Sequence, residues 1–166
     1  MNEALELALA KATAVRFLCT GNVVRSAFAE LYARHLGCPV PVDSCATVFQ
    51  NTGLFAETSA ALIERGVSSS WVEEFRARHL SLVTGAPDAG LVVFGMTREH
   101  LSTWRAKHPD HEHVYRLSEL AGERRDIADP VLDGASFERT FEAVSDLIDV
   151  LVERLADSLP TGRDPE

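Results

Sequence analysis

The sequence predicts an α/β fold: a single domain in which a doubly wound, four-stranded parallel sheet carries helices on both faces. Short apolar segments rich in strand-forming residues alternate with helix-like segments, which is typical of crossover units between parallel strands. The segment AGLVVFGM, residues 89–96, is a continuous apolar run, as in a strand that is covered on both faces. The length of 166 residues fits one hydrophobic core.

The first half of the chain supplies two strands and two helices. AVRFL predicts a strand at residues 14–18, because it is short, apolar and rich in strand-forming residues. A helix is predicted at residues 25–37, where apolar side chains recur at helical spacing until Gly37 ends the pattern. VPVDSCATV predicts a second strand at residues 40–48, and TSAALIERG predicts a helix at residues 58–66.

The second half continues the alternation. Residues 68–81 are ambiguous, with a helix from Trp71 onward as one interpretation. After the strand at residues 89–96, TREHLSTWRAKH predicts a helix that is capped by Thr97, and HVYRL predicts the fourth strand. SFERTFEAVSDLIDVLVERLADSL predicts a long amphipathic helix at residues 136–159.

The two ends of the chain are predicted to lie outside this domain, which covers residues 14–159. Residues 1–13 are interpreted as a short helix or a frayed arm, and residues 160–166 as a disordered tail. The first residues are acidic where an export signal would be basic, so we expect a cytoplasmic protein. No segment approaches the ~20 apolar residues that a membrane span needs.

Charge and cysteine content restrict the classes of partner. The formal net charge of −9 argues against nucleic acid, although local hydrogen-bond donors could still hold a phosphorylated substrate. Cys19, Cys38 and Cys45 form neither a disulfide framework nor a CxxC pair. The histidine-rich HPDHEH is interpreted as a solvated loop, so we expect no metal and no cofactor.

The turn CTGNVVRS after the first strand predicts a phosphate cradle. Ligands of doubly wound sheets bind beyond the carboxyl ends of the strands, and a helix follows this turn with its positive dipole end. Cys19 would be held there as a thiolate, Arg25 would grip two phosphoryl oxygens, and Ser26 would donate to the sulfur. The alternative is that Cys19 packs as a small buried hydrophobe.

The residues predicted to bind the phosphoryl group share this one turn. They are Thr20, Gly21, Asn22, Val23, Val24 and Ser26.

A carboxyl group is needed to protonate the leaving group of an aryl phosphate, since a phenolate leaves poorly. The segment DIADP supplies two, Asp126 and Asp129. Pro130 would fix the backbone beside Asp129 and aim its carboxyl group. A plain turn at Asp129 is the alternative.

VRFLCTGNVVRSAFAE resembles the active-site segment of low-molecular-weight protein tyrosine phosphatases, with their C-x5-R-S loop. VDSCAT, MTREHLSTW and DIADPVLDGASFERTFEAVSDLI extend the resemblance over about residues 14–155. It implies that Cys19 is the nucleophile and that Asp129 is the general acid, because the family's acid directly precedes a proline. It further implies that Asn22 holds a strained loop position and that Ser44 hydrogen-bonds toward the loop, unless Ser44 faces water.

Four departures from the family pattern stand out. Val24 replaces a second cysteine that protects the nucleophile in many members, and Ala27 replaces a proline. Phe75 replaces a histidine that supports the loop asparagine. Val131 and Leu132 follow the acid where aromatic side chains often form a wall of the cleft.

The resemblance implies a cysteine-dependent phosphatase with a phosphocysteine intermediate, acting on tyrosine-phosphorylated protein or a small aryl phosphate. Phe49 and Phe55 could supply an aromatic wall, and Val23 is apolar as in tyrosine-type members, whereas the arginine-phosphatase branch has threonine. Phosphate and other oxyanions are expected to inhibit. An arsenate reductase using external thiols is an alternative, since residues 46–166 contain no cysteine. A non-catalytic module that binds phosphate or a protein partner is another.

Overall fold

A computed structural model describes residues 2–83 and 85–158. In this part of the chain four strands form one parallel sheet in the order β2-β1-β3-β4. The predicted fold class is therefore confirmed. The strands are β1 (Ala14–Cys19), β2 (Val42–Ala46), β3 (Leu91–Gly95) and β4 (Val114–Arg116).

Helices cover both faces of the sheet. They are α1 (Glu3–Ala10), α2 (Arg25–His35), α3 (Ala56–Glu64), α4 (Ser69–Glu74), α5 (Arg98–Lys107) and α6 (Phe137–Ser158), with short 3-10 helices at Leu80–Leu82 and Leu117–Ala121. The larger core joins β1 and β3 to α2 and α6 through side chains such as Phe17, Phe28 and Ile148. A smaller core on the other face joins the sheet to α5 through Leu101 and Trp104. None of the described helices is both long and apolar enough to cross a bilayer.

Strand β2 is shorter than the strand predicted at residues 40–48. The last bond of the ladder with β1 runs from the N–H of Thr47 to the carbonyl of Cys19, the partner of Ala46. The N–H groups of Val48 and Phe49 then both bond the carbonyl of Thr20, so the regular pairing ends there. These hydrogen bonds connect the chain after β2 to the turn after β1.

The ambiguous segment at residues 68–81 contains a helix and an extended stretch. Helix α4 begins at Ser69, before Trp71, and ends at Glu74. The chain then extends, because the N–H of Ala77 bonds the carbonyl of Thr52 and the carbonyl of Arg78 accepts from Ala46. The helix thus ends just before the stretch whose backbone hydrogen-bonds alongside the end of β2.

The N-terminal segment forms a helix that packs on α6. The side chain of Asn2 caps α1 by accepting from the N–H of Leu5 at 2.9 Å. Leu5 and Leu9 are buried, and Glu6 pairs with Arg154. The predicted tail at residues 160–166 lies outside the described residues.

Candidate active site

The turn between β1 and α2 wraps around the sulfur of Cys19. Cys19 Sγ lies 2.8 Å from Ser26 Oγ, and the backbone N–H of Asn22 points at the sulfur from 3.3 Å. Both groups can donate a hydrogen bond to this sulfur. The structure thus brings Cys19 and Ser26 together as the sequence predicts.

Asn22 holds the turn in shape. It is fully buried, and its φ of 55° is the one positive value of a non-glycine residue in residues 2–83 and 85–158. Its side-chain amide donates to Ser26 Oγ (2.9 Å) and Ser44 Oγ (2.7 Å), while its oxygen accepts from the N–H of Arg78 (3.0 Å). These bonds offset the cost of a left-handed backbone, which asparagine tolerates better than most residues.

Ser44 connects this network to a buried carboxylate. Ser44 is 1% exposed and faces the turn, and its hydroxyl donates to Glu30 Oε1 at 2.9 Å. Burial raises the pKa of Glu30, against the lowering effects of the Ser44 hydrogen bond and of Arg34. Glu30 was not predicted from the sequence, although its place on α2, four residues after Ser26, puts the two residues on one face of the helix.

Arg25 reaches from the start of α2 to the loop that carries Asp129. Its side chain is 2% exposed, and Nη1 donates to the carbonyl of Ile127 at 2.7 Å. Nη2 lies 3.2 Å from Asp129 Oδ2 and 3.2 Å from Thr20 Oγ1. The other carboxylate oxygen, Oδ1, accepts from the N–H of Val131 at 2.8 Å. The carboxyl group is thereby aimed at Arg25.

A cleft of about 140 Å³ opens above these groups. Cys19, Arg25 and Asp129 lie in its wall together with the cradle residues Thr20, Gly21, Val23 and Val24. Its rim is apolar and exposed, with Phe49 and Phe55 from the segment after β2 and Val131 and Leu132 from the loop before α6. The site therefore combines a charged floor with an apolar entrance.

Comparison with known proteins places this geometry in a family. Residues 14–163 match the family described as low molecular weight phosphotyrosine protein phosphatase. The chain belongs to this family. It is accordingly a hydrolase of the protein phosphatase class.

The proteins similar to this phosphatase include relatives whose names state different substrates. It is 29% identical over 140 residues to the low molecular weight protein-tyrosine-phosphatase PtpB of Staphylococcus epidermidis, which covers 80% of this chain and 92% of that protein. It is 27% identical over 152 residues to the protein-arginine-phosphatase of Geobacillus stearothermophilus, with 89% and 96% covered. The crystal structure of YfkJ from Bacillus subtilis has the same fold, with a TM-score of 0.74, 21% identity and 90% and 98% covered.

The two carboxyl groups of DIADP have different surroundings in this phosphatase. Asp126 accepts from the N–H of Arg98 (2.9 Å) and from Arg116 Nη1 (3.3 Å), and half of its side chain is exposed. Asp129 lines the cleft instead, and Pro130 is buried in the turn that follows it.

A histidine that the sequence analysis did not select lies behind the cradle. His100 Nε2 is 3.1 Å from Thr20 Oγ1, and Nδ1 accepts from the N–H groups of Met96 (3.2 Å) and Thr97 (3.0 Å). Burial first, and then the charge of Arg25, lower the pKa of His100 to about 3. The sequence feature that could have identified His100 is its position in the first turn of the helix that follows the most apolar strand.

Two of the four departures from the family pattern, Phe75 and Val24, are buried side chains. Phe75 is buried in the larger core, and the backbone of Arg78 supports Asn22. Val24 is buried in the wall of the cleft. In the described part of the chain, no group of three or more His, Cys, Asp or Glu side chains is arranged to hold a metal ion.

Proposed function

We propose that this phosphatase hydrolyses phosphotyrosine and small aryl phosphate monoesters through a phosphocysteine intermediate on Cys19. The observation that carries the proposal is the shared cleft of Cys19, Arg25 and Asp129, in which Arg25 Nη2 lies 3.2 Å from the Asp129 carboxylate. A nucleophile, a phosphoryl-binding cation and a proton donor thus face one volume.

In the first half-reaction the Cys19 thiolate attacks phosphorus. The S–P bond forms as the P–O bond to the aryl group breaks, and the departing oxygen takes the proton of Asp129. Arg25 and the backbone N–H groups of the turn bind the phosphoryl oxygens while their charge develops. Arg25 leaves its present contact with Asp129 when that carboxyl group is protonated.

In the second half-reaction water releases the phosphate. The Asp129 carboxylate takes a proton from the attacking water, the new P–O bond forms, and the S–P bond breaks. The electron pair returns to the sulfur of Cys19 as a thiolate, which Ser26 Oγ stabilises at 2.8 Å. Inorganic phosphate is the product and is expected to inhibit competitively.

The apolar entrance supports an aryl leaving group. Exposed apolar side chains of this size cost free energy in water, and a flat ring between them would cover them. Val23, which lines the same cleft, adds no hydrogen-bonding group that would favour a guanidinium. Because one relative is named a protein-arginine-phosphatase, phosphoarginine is the competing substrate to test.

The mechanism is tested with a chromogenic aryl phosphate in the presence of a chelator. We expect turnover by the wild type, none by Cys19→Ser, and a loss of about 10²–10⁴-fold in Asp129→Ala. Asp126→Ala is the matched control, since its carboxyl group bonds Arg98 and Arg116 instead of lining the cleft. Activity that survives Cys19→Ser, or that the chelator abolishes, would overturn the mechanism.

Substrate class is tested with one peptide carrying phosphotyrosine or phosphoarginine. We expect the higher kcat/KM on phosphotyrosine, with Phe49→Ala and Leu132→Ala weakening that substrate more than phosphoarginine. A preference for phosphoarginine would overturn the assignment. Arsenate-dependent oxidation of an added thiol by the wild type, exceeding its aryl phosphate turnover, would support the reductase instead.

A further inference from the structure

The oxygen of the Thr20 hydroxyl is approached by two side-chain nitrogens. His100 Nε2 lies 3.1 Å from Thr20 Oγ1, and Arg25 Nη2 lies 3.2 Å from the same atom. The guanidinium can only donate, so it occupies one lone pair of this oxygen. If His100 also donates, both lone pairs are occupied and the hydroxyl hydrogen has to go to a third group.

The direction of the His100 bond is set by the other nitrogen of the ring. Nδ1 accepts from two backbone N–H groups, those of Met96 and Thr97, and therefore carries no hydrogen. Because burial and Arg25 lower the pKa of His100 to about 3, the ring is neutral near pH 7 and its one proton is on Nε2. His100 is thus a donor to Thr20, and the hydroxyl of Thr20 cannot donate to it.

The cleft is the place where the Thr20 hydrogen can find an acceptor. Thr20 lines the cleft together with Cys19 and Arg25. Over residues 2–83 and 85–158, its hydroxyl makes no side-chain or backbone hydrogen bond other than those to His100 and Arg25. The group therefore presents one donor to whatever oxyanion the cradle binds.

We propose that the Thr20 hydroxyl donates to a phosphoryl oxygen of the substrate, and that His100 is the positioning residue that fixes this direction. The inference rests on the proposed function, because it requires a phosphoryl group in the cleft. The backbone N–H of Met96, the imidazole and the hydroxyl form one chain of donors that ends at the phosphate, and successive hydrogen bonds in such a chain polarise one another. Thr20 thereby adds a side-chain donor to the cradle.

The size of the effect expected from losing the Thr20 hydroxyl follows from the negative charge of the phosphoryl oxygen that accepts its hydrogen bond. Losing a hydrogen bond to a charged group corresponds to about a 10- to 100-fold effect, so Thr20→Val should lower kcat/KM for an aryl phosphate by that factor. It should also weaken inhibition by inorganic phosphate by at least about tenfold. Thr20→Ser keeps the hydroxyl and should recover most of the loss.

A double-mutant cycle tests whether His100 acts through Thr20 or has only a structural role. His100→Asn removes the donor to Thr20 and is expected to weaken phosphate inhibition by about tenfold. In a Thr20→Val background the same change should cost less than about twofold, because the group through which it acts is already gone. Thr103→Val is the matched control, since that exposed hydroxyl bonds only the carbonyl of Glu99 on α5.

A pH profile distinguishes positioning from proton transfer. Because His100 keeps one protonation state, the loss in His100→Asn should be constant between about pH 5 and pH 8. If the pH profile of activity in His100→Asn lacked the acidic or the basic decline that the wild type shows, the proposal would be overturned. His100 would then be acting as an acid or a base. Thermal unfolding of each variant shows whether it is folded.

The outcomes separate this inference from the proposed function. No Cys19-dependent turnover by the wild type would overturn both. With that turnover present, a Thr20→Val enzyme within about twofold of the wild type, or fully additive losses in the double variant, would overturn the inference alone. If Thr20→Val does not fold, unchanged phosphate inhibition in His100→Asn overturns it as well.

Discussion

His100 and Glu30 are buried titratable residues of the site whose pKa values move in opposite directions. Burial lowers the pKa of His100 from 6.5 to about 3 and raises the pKa of Glu30 above its ordinary value of 4.5. In both residues the charged form is the one that burial disfavours. Each shift therefore makes stability depend on pH over its own window.

The shift of His100 predicts a loss of stability in acid. Between pH 6.5 and about pH 3 the unfolded chain binds a proton at this position that the folded protein does not bind. The free energy of unfolding should therefore decrease as the pH falls through this window, by a contribution on the order of 4 kcal/mol. Urea unfolding over a pH series should show a shallower acid decline in His100→Asn, and parallel curves would contradict the prediction.

The shift of Glu30 predicts the opposite slope above pH 4.5. Here the folded protein retains the proton longer than the unfolded chain, so stability decreases as the pH rises from 4.5 through the raised pKa. Glu30→Gln keeps an acceptor for Ser44 and should flatten this slope, whereas Glu153→Gln on the exposed side of α6 should not. The same urea series measures both variants. Equal slopes in all three proteins would exclude Glu30 as the cause.

At the level of elements, strand alternation separates the cysteines. Cys45 on β2 is paired with Leu18 and packs in the smaller core, whereas Cys19 is in the larger core on the other face. Cys38 follows the far end of α2, and 11 helical residues rise about 16 Å. Neither thiol can reach Cys19 without rearrangement of the fold.

This separation predicts irreversible oxidation. Hydrogen peroxide would oxidise the sulfur of Cys19 to a sulfenic acid. With no neighbouring thiol to form a disulfide, a second equivalent gives the sulfinic acid. We expect that dithiothreitol will not restore activity after prolonged exposure. Val24→Cys places a thiol in the same cleft wall and should make the loss recoverable. Cys38→Ser and Cys45→Ser should behave as the wild type, and full recovery of wild-type activity would contradict the argument.

Helix α1 contributes stability through one apolar face. Leu5 is fully buried, whereas Leu7 on the same helix is 59% exposed. We expect Leu5→Ala to lower the free energy of unfolding by about 2–4 kcal/mol and Leu7→Ala by less than about 0.5 kcal/mol. Urea unfolding measures both, and kcat of the folded fraction should be unchanged because α1 packs on α6 outside the cleft. Equal effects of the two variants would mean that α1 does not dock as described.

The elements differ in how far sequence alone predicts them. The CTGNVVRS turn is local: residue types and the strand-turn-helix context sufficed to select Cys19, Arg25 and Ser26. His100 and Glu30 were missed because their roles depend on which side chains face them across the fold, which periodicity does not contain. The extended stretch after α4 was missed for the same reason, since its hydrogen bonds go to Ala46 and Thr52.

At the level of the whole molecule, the strand order gathers distant segments at one edge of the sheet. Cys19 ends β1, Phe49 follows β2, His100 follows β3 and Asp129 follows β4. Because all four strands are parallel, their carboxyl ends lie along the same edge, and one cleft collects residues that are 110 positions apart in the chain. The apolar rim and the charged floor of the cleft both follow from this topology.

The net charge of −9 acts on any charged substrate that approaches this cleft. Arg25 is buried at its floor, so the long-range field that a peptide meets first is that of the acidic surface. A phosphotyrosine peptide flanked by lysines should therefore have a higher kcat/KM than one flanked by glutamates, on the order of tenfold at low salt. The ratio should shrink as added KCl brings the Debye length to about 8 Å near 0.15 M. A ratio that does not change with salt would mean that local contacts at the rim, and not the field of the whole protein, select the peptide.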